Sequence, residues 1–221
     1  MVRVETFTEA GADHRSNEDG FAVRPHPLDP DVWVCAVADG QGGRSGGERA
    51  ARLACGIVLD TACAAPLAAL ADPKFWTDLL RSVDAAVEQD TAAGFTTLVA
   101  LAMVRDSVVG VSQGDSAALL VTNGEAKKLT SGQHKEPPVG SAAASPVFFS
   151  AKVTPPWTLV LMTDGVWKYV GWGRVVEAAR DAGSDLLASL QRVARLSVTG
   201  RFPDDFTAVV LRDDDHDAVA E

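Results

Sequence analysis

Residues 34–50 read VCAVADGQGGRSGGERA. Five residues suited to a buried strand, Val34 to Ala38, run straight into Asp39, and five glycines follow within eight positions. A carboxylate at the rim of a hydrophobic strand is costly unless it finds a partner or reaches water. The glycines allow the backbone to turn tightly behind Asp39, so that the Gly40 carbonyl can face the same ligand as the carboxylate.

The same arrangement recurs. TLVLMTDG ends on Asp164-Gly165, and RFPDDFTAVVL places Asp204 and Asp205 directly before an apolar run. Any one Asp-Gly pair is equally well a turn. Three such edges brought together would repel one another, and a divalent cation relieves that repulsion directly. Hard oxygen donors suit Mg²⁺ or Mn²⁺, and no Cys/His cluster with structural-zinc spacing is present. The glycine-rich stretch lacks the lysine and hydroxyl of GxxxxGK[ST], and neither GxGxxG nor the GxSxG elbow occurs.

Composition narrows the classes further. The chain has 221 residues, 47% hydrophobic and 23% charged, which is enough for one sizeable core and is not a disordered composition. Its net charge of −10 offers no concentrated basic surface, which argues against nucleic acid as a partner. Cys35, Cys55 and Cys63 form no CxxC pair and fall in strand and helix patterns. They read as buried free thiols suited to a reducing cytoplasm. The N-terminal residues hold no apolar signal region, and no run approaches the ~18 residues of a membrane span, so no membrane association is expected. His26 and His216 read as exposed.

Apolar periodicity gives strands near 2–10, 20–26 and 31–39, then helices over 45–70, interrupted at Pro66, and 73–89. Strands return at 96–104, 107–115, 117–123, 147–153 and 157–165. The 117–123 strand closes on an Asn-Gly hairpin signal. Helices follow at 171–183 and 184–196, and a last strand at 206–212. Residues 131–146 are polar, proline-broken and without a pattern. Helices segregated from runs of adjacent strands argue an α+β fold, with at least eight strands in two antiparallel sheets packed face to face.

Six motifs then occur in order: NEDGF (17–21), ADGQGG (38–43), GFTTLVA (94–100), GDSAALL (114–120), TDGVWKYV (163–170) and DDFTAVVL (204–211). Together they resemble the metal-dependent protein phosphatases of the PP2C (PPM) family, in particular the bacterial serine/threonine type. The resemblance implies one domain over residues 1–212, followed by an acidic tail at 213–221. It implies an α-β-β-α sandwich of two central antiparallel sheets flanked by helices. It also implies two Mn²⁺ or Mg²⁺ ions bridged by Asp39, with further ligation from the Gly40 carbonyl, Asp164 and Asp204. Asp19 would hold water from behind the ligands. Water activated between the ions would attack phosphorus in line, without a covalent intermediate. The implied partner is a phosphorylated protein substrate met by a cytoplasmic monomer.

Three departures from the family pattern modify these expectations. The family's phosphate-binding arginine falls at His14, with Arg15 one position closer to the motif; Arg15 is the candidate phosphate contact. The aspartate that would serve a third metal position is replaced by Gln133, so no third ion is expected there unless Asp115 or Glu136 folds back to replace it. The flap before the 147–153 strand is short, which implies an open cleft, altered substrate choice, and room for a regulatory protein partner to complete the site.

Overall fold

Both sheets owe their architecture to strands that are apolar on two faces. The computed structural model describes residues 1–41, 46–181, 185–196 and 200–213. One sheet contains β2 (Asp19–His26), β3 (Asp29–Asp39), β4 (Leu98–Val104), β5 (Ser107–Gln113) and β8 (Val147–Lys152), in the order β2-β3-β4-β5-β8. The other runs β1-β10-β9-β6-β7, built from β1 (Val2–Glu9), β10 (Phe206–Asp213), β9 (Trp157–Met162), β6 (Ala117–Thr122) and β7 (Glu125–Lys128). All strand pairs are antiparallel.

Alternate residues of each central strand enter different apolar layers, as the two-residue period of a strand requires. In β3, Val34, Ala36 and Ala38 pack toward α1 (Gly47–Ala64) and α2 (Pro73–Gln89), while Cys35 and Val37 face the opposite sheet. In β10, Phe206, Ala208 and Val210 face α3 (Asp164–Val170), α4 (Trp172–Arg180) and α5 (Leu186–Leu196), while Val209 and Leu211 enter the layer between the sheets. The expected α-β-β-α sandwich is therefore the observed one. No described helix is long and apolar enough to cross a membrane.

The differences from the sequence reading are local. β7 pairs with β6 across Asn123-Gly124, whose φ values of 50° and 73° lie in the left-handed region; its EAKK sequence carries too little apolar pattern to show as a strand. Residues 164–170 form α3, although 164 and 165 read as the end of the preceding strand and 166–170 carry no assigned element. A one-turn-scale 3₁₀ helix, Leu67–Ala71, fills the break after Pro66, and Trp76 Nε1 donates to the Leu70 carbonyl at 2.8 Å. His26 is 1% exposed, contrary to expectation. Its Nδ1 accepts from Leu28 N (3.2 Å), which leaves Nε2–H to donate to the Ala65 carbonyl (3.1 Å), so the ring buries with both nitrogens satisfied. Cys35, Cys55 and Cys63 are free and buried, as read. His216 and the acidic tail beyond residue 213 lie outside the described residues, as do residues 42–45 of the glycine-rich stretch.

The patternless stretch 131–146 is also fixed, by remote side chains. Asp84 of α2 is 5% exposed and accepts from the backbone N–H groups of Gly140 (2.6 Å), Ser141 (3.1 Å) and Ala144 (3.0 Å). Gln113 at the end of β5 donates to the carbonyls of His134 (2.9 Å) and Pro137 (2.7 Å) and accepts from Ser145 N (3.0 Å).

Candidate metal centre and cleft

Asp39 is the last residue of β3, opposite Asp19, the first residue of β2. Its backbone is tied on three sides. Asp39 N donates to Thr97 Oγ1, Thr97 N donates to the Asp39 carbonyl, and Thr96 Oγ1 donates to the same carbonyl, each at 2.9 Å. Gly40 follows in a place that no side chain could occupy: a Cβ there would lie 2.5 Å from the Glu18 carbonyl oxygen and 2.4 Å from the Gly47 carbonyl carbon. Close backbone approach is what that glycine supplies.

Asp164 opens α3 at the end of β9, and Asp115 sits in the turn between β5 and β6. One carboxylate oxygen from each of Asp39, Asp115 and Asp164 lies within 4.8 Å of the others. At an effective dielectric of about 20, each pair of unit charges at that spacing repels by about 3–4 kcal/mol. The carboxyls respond accordingly. Asp39 is held well above its ordinary 3.8, first by burial and then by the charges of Asp19, Asp164, Asp115 and Asp204. Asp164 is raised by burial and by Asp115. Such a set of hard oxygens, destabilised by its own charge, fits a divalent cation.

Asp19 supplies a second sign of the same fit. Its Oδ2 accepts from Thr163 Oγ1 at 2.9 Å, while its Oδ1 is buried with no hydrogen-bond partner. Buried polar atoms are nearly always satisfied, so an orphaned carboxylate oxygen behind the cluster marks a place for water or an ion. Burial, followed by the Asp205 and Asp164 charges, pushes this carboxyl up to about 7 despite the lowering effect of the nearby Thr207 and Thr163 hydroxyls.

Asp204 and Asp205 do different work. Asp205 is 5% exposed and accepts from Gly11 N (2.8 Å), Glu18 N (2.7 Å) and His14 Nδ1 (2.8 Å), pinning the turn between β1 and β2. Asp204 is more open, lies 3.7 Å from His14 Nε2, and faces the cleft. Burial would lower the His14 pKa, but the hydrogen bond to Asp205 and the surrounding acids raise it. Gly165 locks the two acids to α3, since a Cβ there would stand 1.9 Å from the Asp205 carbonyl oxygen.

The cleft that collects these groups has a volume of about 290 Å³. Its lining includes Asp39, Gly40, Asp164 and Asp204 of the expected set, together with His14, Asp115, Lys135 and Glu136. Asp19 lies behind Asp39, and Arg15 is exposed and outside the lining. Gln133 also lies outside it, with Nε2 donating to the Ser116 carbonyl at 2.6 Å. Asp115, expected only as a replacement ligand at a third position, belongs to the cluster itself, two residues beyond the end of β5. Trp167 Nε1 donates to its carbonyl at 3.1 Å and Lys135 Nζ lies 2.7 Å from its Oδ2.

Comparison with known proteins gives a consistent picture. The family model for protein phosphatase 2C matches residues 10–195. Among solved structures, the serine/threonine phosphatase Stp1 from Staphylococcus aureus superposes with a TM-score of 0.79 at 17% identity, covering 97% of this chain and 96% of that one. The catalytic domain of the serine/threonine protein phosphatase PstP, solved in complex with two manganese ions, gives 0.77 at 21% identity, covering 97% and 99%. PppA, described as a key regulatory component of T6SS in Pseudomonas aeruginosa, gives 0.74 at 22%, covering 96% and 97%. Among curated protein sequences no relative matches significantly.

Proposed function

The chain belongs to the protein phosphatase 2C family, and from that premise we propose that it hydrolyses phosphoserine and phosphothreonine esters of proteins with a divalent metal. The observation that carries the reading is the gathering of Asp39, Asp115 and Asp164 within 4.8 Å at one end of the cleft. PstP with its two manganese ions supports a two-ion arrangement here.

In this reading Asp39, Asp164 and Asp204, with the Gly40 carbonyl, hold Mn²⁺ or Mg²⁺, and Asp115 joins them. Such ions supply Lewis acidity toward phosphoryl oxygens and a more acidic water at neutral pH. The chain's own groups do the remaining work. Asp19 has one oxygen fixed by Thr163 and the other without a partner, so Oδ1 can take a hydrogen bond from water behind the cluster. Asp205 fixes His14 through Nδ1 and leaves the Nε2 edge toward Asp204 and the cleft. Arg15, exposed on the same turn but outside the lining, is the arginine this reading offers to the substrate phosphate.

Hydrolysis of a phosphothreonine peptide and of an aryl phosphate, each with Mn²⁺, Mg²⁺ or chelator, tests this. Metal-dependent turnover of the peptide is expected, and no rate above the chelated control on either compound overturns it. Turnover of the aryl phosphate alone would move the reading to small phosphorylated compounds. One observation favours a second reading, a regulatory or binding module with weak hydrolysis. His14 and Lys135, the basic residues among the described lining, are both already paired with acids, Asp205 and Asp115.

A further inference from the structure

Seven of the fourteen described residues that line the cleft are acids. A phosphate dianion entering there meets strong negative charge and needs more than the metal ions to offset it. His14 is held by its bond to Asp205. Lys135 is in a different position. Its ammonium lies 2.7 Å from Asp115 Oδ2, yet its side chain is 70% exposed, so the tip is free to move. The backbone beneath it is not free. The carbonyl of His134, one residue earlier, accepts from Gly114 N and from Gln113 Nε2, each at 2.9 Å, and Gln113 also holds the Pro137 carbonyl. A compact point charge thus rides on a flexible four-carbon stem above an anchored base.

The partner it has chosen is informative. Asp115 belongs to the three-carboxylate cluster, and the ammonium also feels the charges of Asp164 and Asp39. Among the described residues two cations pair with this cluster: Lys168, 3.6 Å from Asp164 Oδ2 on the same helix, and Lys135, which alone of the two comes from the loop that lines the cleft. An incoming divalent ion offers Asp115 a stronger partner, and the Lys135 ammonium then loses its own. An anion that occupies the cleft then competes with the remaining acids of the lining, Glu136 among them, for the released ammonium.

We propose that Lys135 is an exchangeable cation: it holds Asp115 in the metal-free chain, is displaced when a divalent ion enters the cluster, and then binds the phosphoryl oxygens of the substrate. This rests on the phosphatase reading for its substrate, but its two halves can be measured without turnover. Calorimetric titration of Mn²⁺ into metal-free Lys135→Gln should show binding about two- to fivefold tighter than the parent, the range open to a solvent-exposed pair. In an Asp115→Asn background the same Lys135 change should leave Mn²⁺ affinity where it was. Inorganic phosphate titrated into the Mn²⁺-loaded protein should bind Lys135→Gln about tenfold more weakly or worse, the loss of one charge-assisted hydrogen bond, while Lys135→Arg keeps most of the affinity. Circular dichroism checks that each variant is folded. Unchanged or weaker Mn²⁺ binding in Lys135→Gln overturns the proposal, and so does an unchanged phosphate affinity. Should the parent cleave no phosphoester at all, the proposed function fails while both titrations still decide the role of Lys135.

Discussion

Replacing Asp84 by alanine should loosen the loop that forms one wall of the cleft, and the size of the effect can be worked out. The carboxylate accepts three backbone N–H bonds, from Gly140, Ser141 and Ala144. Hydrogen bonds to a charged acceptor are each worth about 1.5–3 kcal/mol. They do not simply add, because Ser141 and Ala144 are half-buried and can recover water, whereas Gly140 is buried and cannot. The expected loss is therefore about 3–4 kcal/mol, one full bond plus an orphaned donor and a fraction of the other two. Asp84→Asn keeps one acceptor oxygen but turns an NH₂ toward a donor, and should lose roughly half as much. Urea unfolding of parent and variants gives the stability difference, and hydrogen exchange shows whether the amides of Gly140, Ser141 and Ala144 are the ones released. A loss under about 1 kcal/mol, or unchanged exchange at those three amides, would refute the claim that a buried carboxylate holds this loop.

Asp39→Asn should abolish metal-dependent hydrolysis and weaken Mn²⁺ binding while circular dichroism still reports folded protein; parent-like binding and rate would show the centre to be misplaced. Gly165→Ala must push the Asp205 carbonyl from 1.9 Å, which should cost about 3 kcal/mol or more and lower Mn²⁺ affinity through Asp204; a melting temperature within a degree or so of the parent would be inconsistent with that packing. For the metal-free chain, Asp19 titrates near 7 when folded against an ordinary 3.8. Between those values the folded state keeps a proton that the unfolded state has released, so stability should rise as pH falls through 7. His14, also raised, acts in the same direction. A denaturation midpoint that increases with pH over this window in chelator would contradict the burial of Asp19, and saturating Mn²⁺ should flatten the slope.

Much of this was legible in the sequence because burial on both faces leaves continuous apolar runs. Strands β3, β9 and β10 are such runs, and each has a site aspartate within two residues of one end, where core gives way to cleft. The pattern failed where polar atoms find partners far along the chain. His26 is buried by a carbonyl 39 residues away. The 131–146 stretch looks structureless because its order comes from Asp84 and Gln113, which no local period can reveal. α3 does not show because the apolar run of β9 reads on through Asp164-Gly165 as strand, and the close approach that requires glycine there is to Asp205, remote in sequence. Asp115 lies just past the apolar run of β5, as Asp39 closes that of β3, so an acid at a strand end was legible there too, but in Gly-Asp rather than Asp-Gly order. The pairing of Lys135 with Asp115 was not, because it depends on where the clamped loop crosses the cleft.

The place of β10 between β1 and β9 has a consequence for the order in which the molecule comes into being. On a ribosome, β1 and β9 are made first and have no hydrogen-bonded link to one another until Phe206–Asp213 is inserted between them. Asp204 and Asp205 arrive with that strand, and Asp205 is also what fastens the first turn of the chain through Gly11, His14 and Glu18. The nascent protein therefore carries an open sheet and an incomplete cleft until β10 emerges. A chain stalled before residue 204 should hold an unfinished cleft, however much of its length has already folded.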